Sequence, residues 1–435
     1  MIKVFEHFEF GETKGILQDT SQLALDRKYC KTIKRKGEDA LCYSIQYDEN
    51  GQNHYCQTSY FVGVDWVIEN ILPIYVQPKQ NKTETEINYL KMLFEALKEP
   101  QNFDHLEDLC EIDFQKPAIT IEHQQDLLSP FLIIQFLQIL KKIVQKGLKK
   151  SYYSVTHNLE SRVKGKILVN QTVKNDILKN KLTKTVCRYD EFGFDCDENK
   201  ILKKAFLFSQ RMLADFHIEN EGTPIQQIVN YISPAFAIIS DDIQIDKVKG
   251  FKPNPLYKEY AQALKLAILI LKRFSYNISN TSHQTVNTPP FWIDMSKLFE
   301  LYVFKKLKER FPMNREVQYH VKAHYRELDF LIKSKDKKYI MVVDTKYKPR
   351  YQNHNISIDD MRQVCGYARL EKVYDELNLN DDERNKIIDC LIVYSHQKPE
   401  KDLLNDDLKS DDTKEKGYVN FYKIGIALPE ISSTS

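Results

Sequence analysis

Two apolar runs, 328–332 and 339–343, constrain this chain most strongly, because acidic residues lie at the same end of the pair. The polar, lysine-rich segment between them is short enough to be the turn of a β-hairpin. Asp329 lies at the start of the first run, and Asp344 and Lys346 follow the second. Adjacent strands would bring the two aspartates together, and Lys346, two residues after Asp344, would point to the same face.

This set of side chains is typical of a site that cleaves DNA phosphodiesters with Mg2+. Carboxylate oxygens bind the hard cation that is held against the scissile phosphate, and a neighbouring lysine can orient the attacking water and offset developing charge. We therefore predict Asp329 and Asp344 as Mg2+ ligands, with Mn2+ as a substitute ion, and Lys346 as a catalytic residue.

The Asp-x-Lys spacing alone is weak evidence. It occurs again at Asp407-Leu408-Lys409 and at Asp412-Thr413-Lys414, in a polar stretch of alternating charge that we expect to be exposed surface. Asp344 differs because it follows a run typical of a buried strand, where a carboxylate is costly unless something pairs with it. The alternative is an ordinary aspartate that ends a strand and caps a turn.

A helix predicted upstream of the hairpin supplies a third acidic candidate. It begins with Asp294 as a good N-cap and continues with helical apolar spacing through Leu298, Leu301 and Phe304. Glu300 lies beside that apolar stripe and is a candidate metal ligand. The alternative is an exposed helix glutamate, which is the commoner fate of this residue type.

A second predicted helix, 359–368, follows the hairpin. Gln363 and Tyr367 are four residues apart in it and therefore share a face. We expect this pair to orient the site and a DNA strand. The alternative is ordinary surface.

The order of these elements resembles the RecB-like branch of the PD-(D/E)xK nuclease fold: a helix with Glu300, a hairpin with Asp329 and Asp344-Thr345-Lys346, then a helix with Gln363 and Tyr367. More specifically, the chain resembles the McrC family, the nuclease subunits of McrBC-type restriction systems. That similarity lies in four stretches: 60–79, 187–203, 294–303 and 343–348.

One residue departs from the nuclease motif. Leu328 stands where a proline is expected before the first acid. That proline shapes a turn and does not bind metal, so the departure leaves the predicted chemistry unchanged.

The resemblance implies a partner and a substrate. The partner would be a McrB-like AAA+ GTPase ring, whose hydrolysis this chain would stimulate, and the substrate would be double-stranded DNA. The sequence agrees, because it has no glycine pair with Walker A spacing before Lys and Ser or Thr, so no nucleotide is expected to bind this chain. The basic run 31–38 or a neighbouring loop would contact the ring; the alternative is a solvated hairpin tip.

Hydrophobic patterns divide the chain into parts. Residues 1–82 alternate short strand-like runs with polar turns, which predicts a β-rich N-terminal domain for partner docking. The strand-like runs include 40–47, 60–67 and 71–76. Residues 83–276 predict a helical and mixed α/β middle domain. Its predicted helices are 83–98, 130–149, 199–214 and 256–274.

The last parts are a linker and the nuclease domain. Residues 277–290 contain no Lys, Arg, Asp or Glu and favour turns, which predicts a linker. Residues 291–435 would form a PD-(D/E)xK endonuclease domain with a mixed central sheet flanked by helices. The expected fold class is thus a multidomain α/β and α+β protein.

Net charge limits where DNA can bind. A net charge of +2 is too small for the whole protein surface to attract DNA, so any nucleic-acid-binding surface must be a local basic patch. Basic residues around the hairpin are candidates to follow phosphates, and the alternative is a turn kept soluble by charge. They are Lys333, Lys335, Lys337, Lys338, Lys348 and Arg350.

The cysteine spacing and the hydropathy of the sequence indicate the cellular compartment in which the protein is expected. None of the eight cysteines has a neighbour at the spacing of a zinc knuckle, and none cluster as an iron–sulfur site requires. The first residues do not resemble a signal peptide, and the longest apolar stretches, 130–143 and 264–271, are interrupted by Gln or Lys. We expect a cytoplasmic protein with free thiols and no membrane contact.

The sequence therefore predicts a McrC-like, Mg2+-dependent DNA endonuclease subunit of a restriction complex. Two alternatives stay open. One is an adaptor that docks on a GTPase ring and binds DNA without cutting it, and the other is a free-standing RecB-like nuclease.

Overall fold

The chain folds into two compact units. The computed structural model describes residues 1–7, 17, 21–35, 37–48, 53–78, 88–106, 108–122, 128–215, 223–243, 257–279, 285–323, 326–347, 357–396 and 403–429. Unit 1 combines Met1–Leu127 with Asn287–Ser435, and unit 2 is Leu128–Val286.

The strands of the described residues are distributed over both units. In chain order they are β1 (Ile2–Phe5), β2 (Tyr29–Arg35), β3 (Glu38–Asp48), β4 (Asn53–Thr58), β5 (Phe61–Ile68), β6 (Leu72–Gln77), β7 (Cys110–Ile112), β8 (Ile119–Glu122), β9 (Ser151–Glu160), β10 (Lys166–Ile167), β11 (Lys184–Gly193), β12 (Thr285–Thr288), β13 (Phe291–Asp294), β14 (Val317–Ala323), β15 (Arg326–Lys333), β16 (Ile340–Lys346), β17 (Asp389–His396) and β18 (Phe421–Ala427).

The α-helices follow the apolar spacing of the sequence. They are α1 (Tyr89–Ala96), α2 (Leu128–Lys146), α3 (Val169–Asn175), α4 (Asp197–Asp215), α5 (Pro224–Phe236), α6 (Lys258–Ser279), α7 (Met295–Arg310), α8 (Ile358–Tyr367), α9 (Glu371–Glu376) and α10 (Asp381–Arg384). A 3-10 helix at Pro100–His105 follows α1.

The N-terminal sheet of unit 1 contains a strand from far along the chain. Its order is β1-β6-β5-β13-β7, so β13 lies between β5 and β7. The close approach of β13 to β5 requires glycine at position 63, because a Cβ there would lie 2.0 Å from the carbonyl oxygen of Phe291. The central strands are fully buried at Val62, Val64 and Ile74, as their apolar composition predicts.

A three-stranded antiparallel sheet, β2-β3-β4, also belongs to unit 1. The β2–β3 ladder ends with Arg35 paired to Glu38, so residues 31–35 of the basic run lie in the closing end of β2. Tyr29, Ile45 and Cys56 bury its inner face together with residues of the N-terminal sheet.

The C-terminal sheet of unit 1 is mixed, with the order β14-β15-β16-β17-β18. β14, β15 and β16 are antiparallel neighbours, whereas β17 and β18 run parallel to β16. Leu331 and Val342 pack with Val364 of α8. Phe330, the next residue along β15 from Leu331, stacks on Phe304 of α7 with ring centroids 5.8 Å apart. Since successive strand residues point to opposite faces, α7 and α8 cover opposite faces of this sheet.

Unit 2 combines helices with a small antiparallel sheet. Helix α2 is buried along most of its length, and α4, α5 and α6 contribute buried Ile201, Ile232 and Ile270 to the core. The sheet has the order β10-β11-β9, with β9 and β11 paired along ten residues from Ser151↔Gly193 to Glu160↔Lys184.

The sequence correctly predicted the mixed α/β class with several sheets and helices. The predicted helices 130–149, 199–214 and 256–274 correspond to α2, α4 and α6, and α1 lies within 83–98, whose first residues lie outside the described ranges. All eight cysteines are free thiols, as expected.

The compact units have different bounds from the predicted domains. Residues 291–294, expected to begin the nuclease domain, form β13 in the N-terminal sheet, where the apolar residues Phe291, Trp292 and Ile293 pair with β5 and β7. The predicted linker 277–290 contains the end of α6 and strand β12, whose Thr and Val favour extended backbone. The four-part division itself remains a prediction.

Helix α2 extends beyond the apolar stretch recognised in the sequence. By length and composition it is sufficient to cross a membrane, contrary to the expectation from residues 130–143, but most of it is buried inside the protein. This burial is typical of a core helix.

Candidate functional site

The β15–β16 hairpin forms as the apolar runs predict. Its ladder extends from Lys333↔Ile340 to Phe330↔Val343. Asp329 and Asp344 are the next residue in each strand, so both carboxylates follow the last pair of the ladder. Phe330 and Val343 are fully buried, which anchors this end of the hairpin in the core.

Asp329 is held by the residue between Asp344 and Lys346. Its Oδ2 accepts a hydrogen bond from the backbone N–H of Thr345 at 2.8 Å and another from the Thr345 hydroxyl at 2.7 Å. Two donors on one oxygen fix the direction of this carboxylate. Thr345 therefore ties the first aspartate to the strand that carries the second.

Asp344 and Lys346 form a buried ion pair. Asp344 is 4% exposed, and its Oδ2 lies 2.7 Å from Nζ of Lys346. The same Nζ lies 3.5 Å from Oδ1 of Asp360 at the start of α8. Burial raises the pKa of Asp344, the charges of Asp360 and Glu300 raise it further, and Lys346 opposes them.

The Lys346 ammonium is favoured by its surroundings. Burial lowers the pKa of Lys346, but attraction to Asp344, Asp360 and Asp329 exceeds that effect, so the pKa is raised above its usual value. The lysine is therefore a permanent cation at neutral pH.

A chain of hydrogen bonds continues from Lys346 into α8. Nζ of Lys346 donates to Oε1 of Gln363 at 3.0 Å, and Nε2 of Gln363 donates to the hydroxyl oxygen of Tyr367 at 2.8 Å. The four-residue spacing places both residues on the helix face that meets β16. The structure thus brings Lys346, Gln363 and Tyr367 together.

Glu300 is buried on α7, with 3% exposure. Helix α7 begins where the sequence predicts, because the side chain of Asp294 accepts a hydrogen bond from the N–H of Lys297. Oε1 of Glu300 lies 2.5 Å from Nε2 of His320, and Oε2 lies 3.8 Å from the Arg35 guanidinium. Glu300 is thus engaged by protein cations and donors rather than exposed.

His320 occupies an unusual backbone conformation. Its φ of 53° lies in the left-handed region although it is within β14, a conformation that costs a non-glycine residue about 1–3 kcal/mol. Its Nδ1 lies 3.3 Å from Oε1 of Glu327, so the ring bridges Glu300 and Glu327.

Arg35 connects the β2–β3 hairpin to α7. Its guanidinium lies 3.0 Å from Oδ2 of Asp294 and over the ring of Tyr60. Burial raises the pKa of Asp294 to about 6, and Arg35 opposes that shift. The N-cap of α7 is thereby tied to the N-terminal half of unit 1.

The number and arrangement of carboxylates in the site indicate which metal ion it could bind. In the part of the chain that the structure describes, no three His, Cys, Asp or Glu side chains converge as a metal-binding group, so Glu300 does not join Asp329 and Asp344 in one. Mg2+ commonly takes one or two protein carboxylates and completes its shell with water and substrate phosphate. Burial raises the pKa of Asp344 by more than Lys346 lowers it, so a bound cation would favour the charged form of this carboxylate. The aspartate pair therefore fits Mg2+, whereas a cage of three carboxylates does not.

Three of the basic residues proposed to follow phosphates have partners within the protein. Lys333 donates to the carbonyl oxygens of Leu377 and Asn378, Lys337 pairs with Glu383, and Lys338 pairs with Asp407. These contacts hold the hairpin turn against neighbouring loops. Lys348 and Arg350 lie outside the described residues.

Sequence reasoning missed several residues that contact the predicted ones. Asp360 is three residues before Gln363, so helical spacing alone would have placed it beside Lys346. Thr345, His320 and Arg35 gave no such signal, because their contacts join segments that are distant in the chain or depend on a local backbone irregularity.

The fold and the site define a class of protein: a mixed α/β multidomain chain with two aspartates and a buried lysine at the end of a hairpin in a mixed sheet. The chain belongs to the McrBC family, since the family described as McrBC 5-methylcytosine restriction system component matches residues 60–377. No curated protein matches the chain.

Two solved structures are similar to it. The first is a half-complex from a tetradecameric assembly of Thermococcus gammatolerans McrB AAA+ hexamers with bound McrC, with 16% identity, 90% of this chain and 82% of that chain covered, and a TM-score of 0.36. The second is the Thermococcus gammatolerans McrBC complex, with 18% sequence identity and a TM-score of 0.27. The match covers 72% of this chain and 89% of that chain.

Proposed function

We propose that this chain is the McrC-like DNA endonuclease subunit of a nucleotide-dependent restriction complex, with a PD-(D/E)xK nuclease fold in its C-terminal sheet. The observation that carries the proposal is the cluster in which the Lys346 ammonium contacts Asp344, Asp360 and Gln363 at the end of the β15–β16 ladder. Family membership supports the same function.

Each side chain of the cluster has a role in this proposal. Asp329 and Asp344 bind Mg2+, and Thr345 holds Asp329 in the orientation that this requires. When bound, Mg2+ would supply positive charge against the scissile phosphate. Glu300 assists through a water molecule, because its carboxylate is already engaged by His320 and Arg35.

Lys346 orients the attacking water and offsets negative charge on the phosphate. Attraction to Asp344, Asp360 and Asp329 raises the pKa of Lys346, which favours the charged ammonium that this role requires. Gln363 fixes the ammonium by accepting a hydrogen bond from it, and Tyr367 fixes Gln363 by accepting a hydrogen bond from the Gln363 amide.

We propose a McrB-like AAA+ GTPase ring as the partner, because the chain belongs to the McrBC family. The described part of unit 2 offers a better docking surface than the basic run 31–38, whose Arg35 is committed to Asp294. Segment 151–193 carries eight basic and four acidic residues. It also exposes many large apolar side chains: Tyr152, Val163, Ile167, Val169, Val173, Ile177, Leu178, Leu182 and Phe192.

Exposed apolar groups in this number are typical of an interface. We name the exposed apolar side chains of 151–193 the β9–β11 surface and assign the ring contact to it. Leu178→Asp and Leu182→Asp should abolish stimulation of the GTPase of the ring. Ile238→Asp is the control, because Ile238 is 72% exposed in the same unit but outside the surface.

One observation favours the alternative of a DNA-binding adaptor that does not cut. No three potential ligands converge within the described residues, so the site depends on two aspartates alone. The adaptor would keep DNA binding and ring stimulation while lacking cleavage.

The deciding experiment incubates the full chain with a purified McrB-like ring, GTP, and methylated or unmethylated double-stranded DNA. Cleavage that requires Mg2+ and the ring, and that Asp344→Asn abolishes, supports the proposal. Stimulated GTP hydrolysis without cleavage would establish the adaptor. Cleavage that is equal without the ring would establish a free-standing nuclease.

A further inference from the structure

Helix α7 carries two buried lysines with very different partners. Lys305 is 7% exposed, and its Nζ lies 2.7 Å from Glu309 and 3.2 Å from Glu95. Lys297 is 8% exposed, and within the described ranges its one ion pair is with Asp108 at 3.8 Å. The Asp108 side chain is itself 86% exposed, so it can offset little of the cost of burying an ammonium.

The acidic groups nearest to Lys297 in the chain are already engaged. Asp294 is paired with Arg35 at 3.0 Å, and Glu300 is paired with His320 at 2.5 Å. Asp294 and Glu300 attract the Lys297 ammonium at longer range, but within the described ranges neither forms an ion pair with it. Burial lowers its pKa, which indicates that the protein alone does not fully compensate the charge.

A second basic group shares this environment. The ring of His105, at the end of the 3-10 helix, lies 5.5 Å from the ring of His320. Burial lowers the pKa of His105, His320 and Lys297 lower it further, and Asp104 and Glu300 oppose the shift.

We propose that Lys297 binds a backbone phosphate of the DNA strand that enters the site at Glu300. This inference rests on the proposed function, because it takes DNA as the ligand. Lys297 contributes affinity that does not depend on base sequence, and the phosphate supplies the anion that the buried ammonium lacks.

The test measures binding of a short DNA duplex to the full chain over a range of salt concentrations, with EDTA present so that no cleavage occurs. Each phosphate contact by a cation contributes about 0.9 to the slope of log affinity against log salt. Lys297→Met should lower affinity by roughly tenfold and reduce that slope by about one contact. Lys297→Arg keeps the charge and should keep the slope.

Lys305→Met is the matched control, since it removes a lysine of equal burial from the same helix. It leaves Glu95 and Glu309 without their cation, so it should lower the melting temperature but leave the slope unchanged. A slope in Lys297→Met equal to that of the wild type, or no DNA binding by the wild-type chain, would overturn the inference.

The result separates this inference from the proposed nuclease. A Lys297-dependent slope in a protein that never cleaves supports the phosphate contact and refutes the nuclease. If the wild-type protein cleaves DNA and the Lys297→Met variant keeps the wild-type slope, the nuclease is supported and the phosphate contact is refuted.

Discussion

The tripeptide Asp-Thr-Lys occurs twice in this chain, at 344–346 and at 412–414, with opposite surroundings. In the first copy Asp344 is buried at the end of a sheet strand and pairs with Lys346. In the second copy Asp412 and Lys414 are exposed in a loop. The same letters therefore give a desolvated ion pair in one place and solvated charges in the other, because a neighbouring strand and helix exclude water only from the first.

The two threonines make the contrast sharper, because both are buried. The Thr345 hydroxyl donates to the carboxylate of Asp329. The Thr413 hydroxyl lies 2.9 Å from the carbonyl oxygens of Leu408 and Ser410, so it stabilises its own loop. Burial alone does not distinguish a site residue from a structural one; the chemical identity of its partner does.

The largest effect is expected for Asp344→Asn. Loss of a metal-binding carboxylate should lower cleavage by more than ~100-fold, since even residues behind the ligands cost about 10–100-fold. Asp344→Asn also breaks the buried pair with Lys346, but the ammonium keeps Asp360 and Gln363 as partners, so the protein should still fold, with a melting temperature below that of the wild type. Asp412→Asn, measured in the same assay, should cleave normally; equal losses would erase the distinction between the tripeptides.

Lys346→Met should impair both activity and stability. It removes the cation that offsets buried Asp344, which costs about 3–5 kcal/mol when one member of a buried pair is lost. Saturating Mg2+ should not restore cleavage. Lys414→Met should change the free energy of unfolding by less than about 0.5 kcal/mol, and chemical denaturation measures both values. A stable, active Lys346→Met protein would show that the wrong tripeptide has been assigned.

Thr345→Val tests the central residues of the tripeptides. The backbone N–H to Asp329 remains, so loss of one hydrogen bond of about 1 kcal/mol should reduce cleavage by less than about tenfold and raise the Mg2+ concentration required. Thr413→Val should lower stability by a similar amount while the Mg2+ requirement stays constant. A shift of that requirement in both variants would mean that Thr345 acts only through folding.

The smallest effect is expected for Tyr367→Phe, which has no counterpart around 412–414. It removes the hydroxyl oxygen that accepts a hydrogen bond from Gln363. Because two hydrogen bonds separate this hydroxyl from the Lys346 ammonium, cleavage should slow by only about threefold. Tyr374→Phe is the control, because that hydroxyl makes a 3.4 Å contact with Arg369 on the surface. Steady-state cleavage rates with both variants decide whether the hydrogen-bond chain matters.

Local patterns predicted much of the fold. Apolar spacing located α2, α4 and α6, the N-cap Asp294 located the start of α7, and two apolar runs located the β15–β16 hairpin. These predictions worked because capping and amphipathic spacing act between residues within a few positions of each other. The strand pairing of β13 was missed for the opposite reason, since its partners β5 and β7 lie far upstream.

The long-range pairing changes how the protein can be divided. A chain that ends after α6 would lose β13 from between β5 and β7, which would leave β7 without a ladder partner and one edge of β5 unpaired. The predicted separation of docking and cutting functions therefore cannot be tested by truncation, and point variants on the β9–β11 surface replace it.

The sequence by itself determined the local relations among the candidate site residues: a lysine two residues after an aspartate on a strand, and a glutamine and a tyrosine four apart on a helix. Those relations are set by the periods of strand and helix, which the chain carries locally. Tertiary structure alone decided which Asp-Thr-Lys is buried, that Thr345 holds Asp329, and that His320 and Arg35 engage Glu300. The physical reason is that burial and charge pairing depend on segments that meet only when the chain folds.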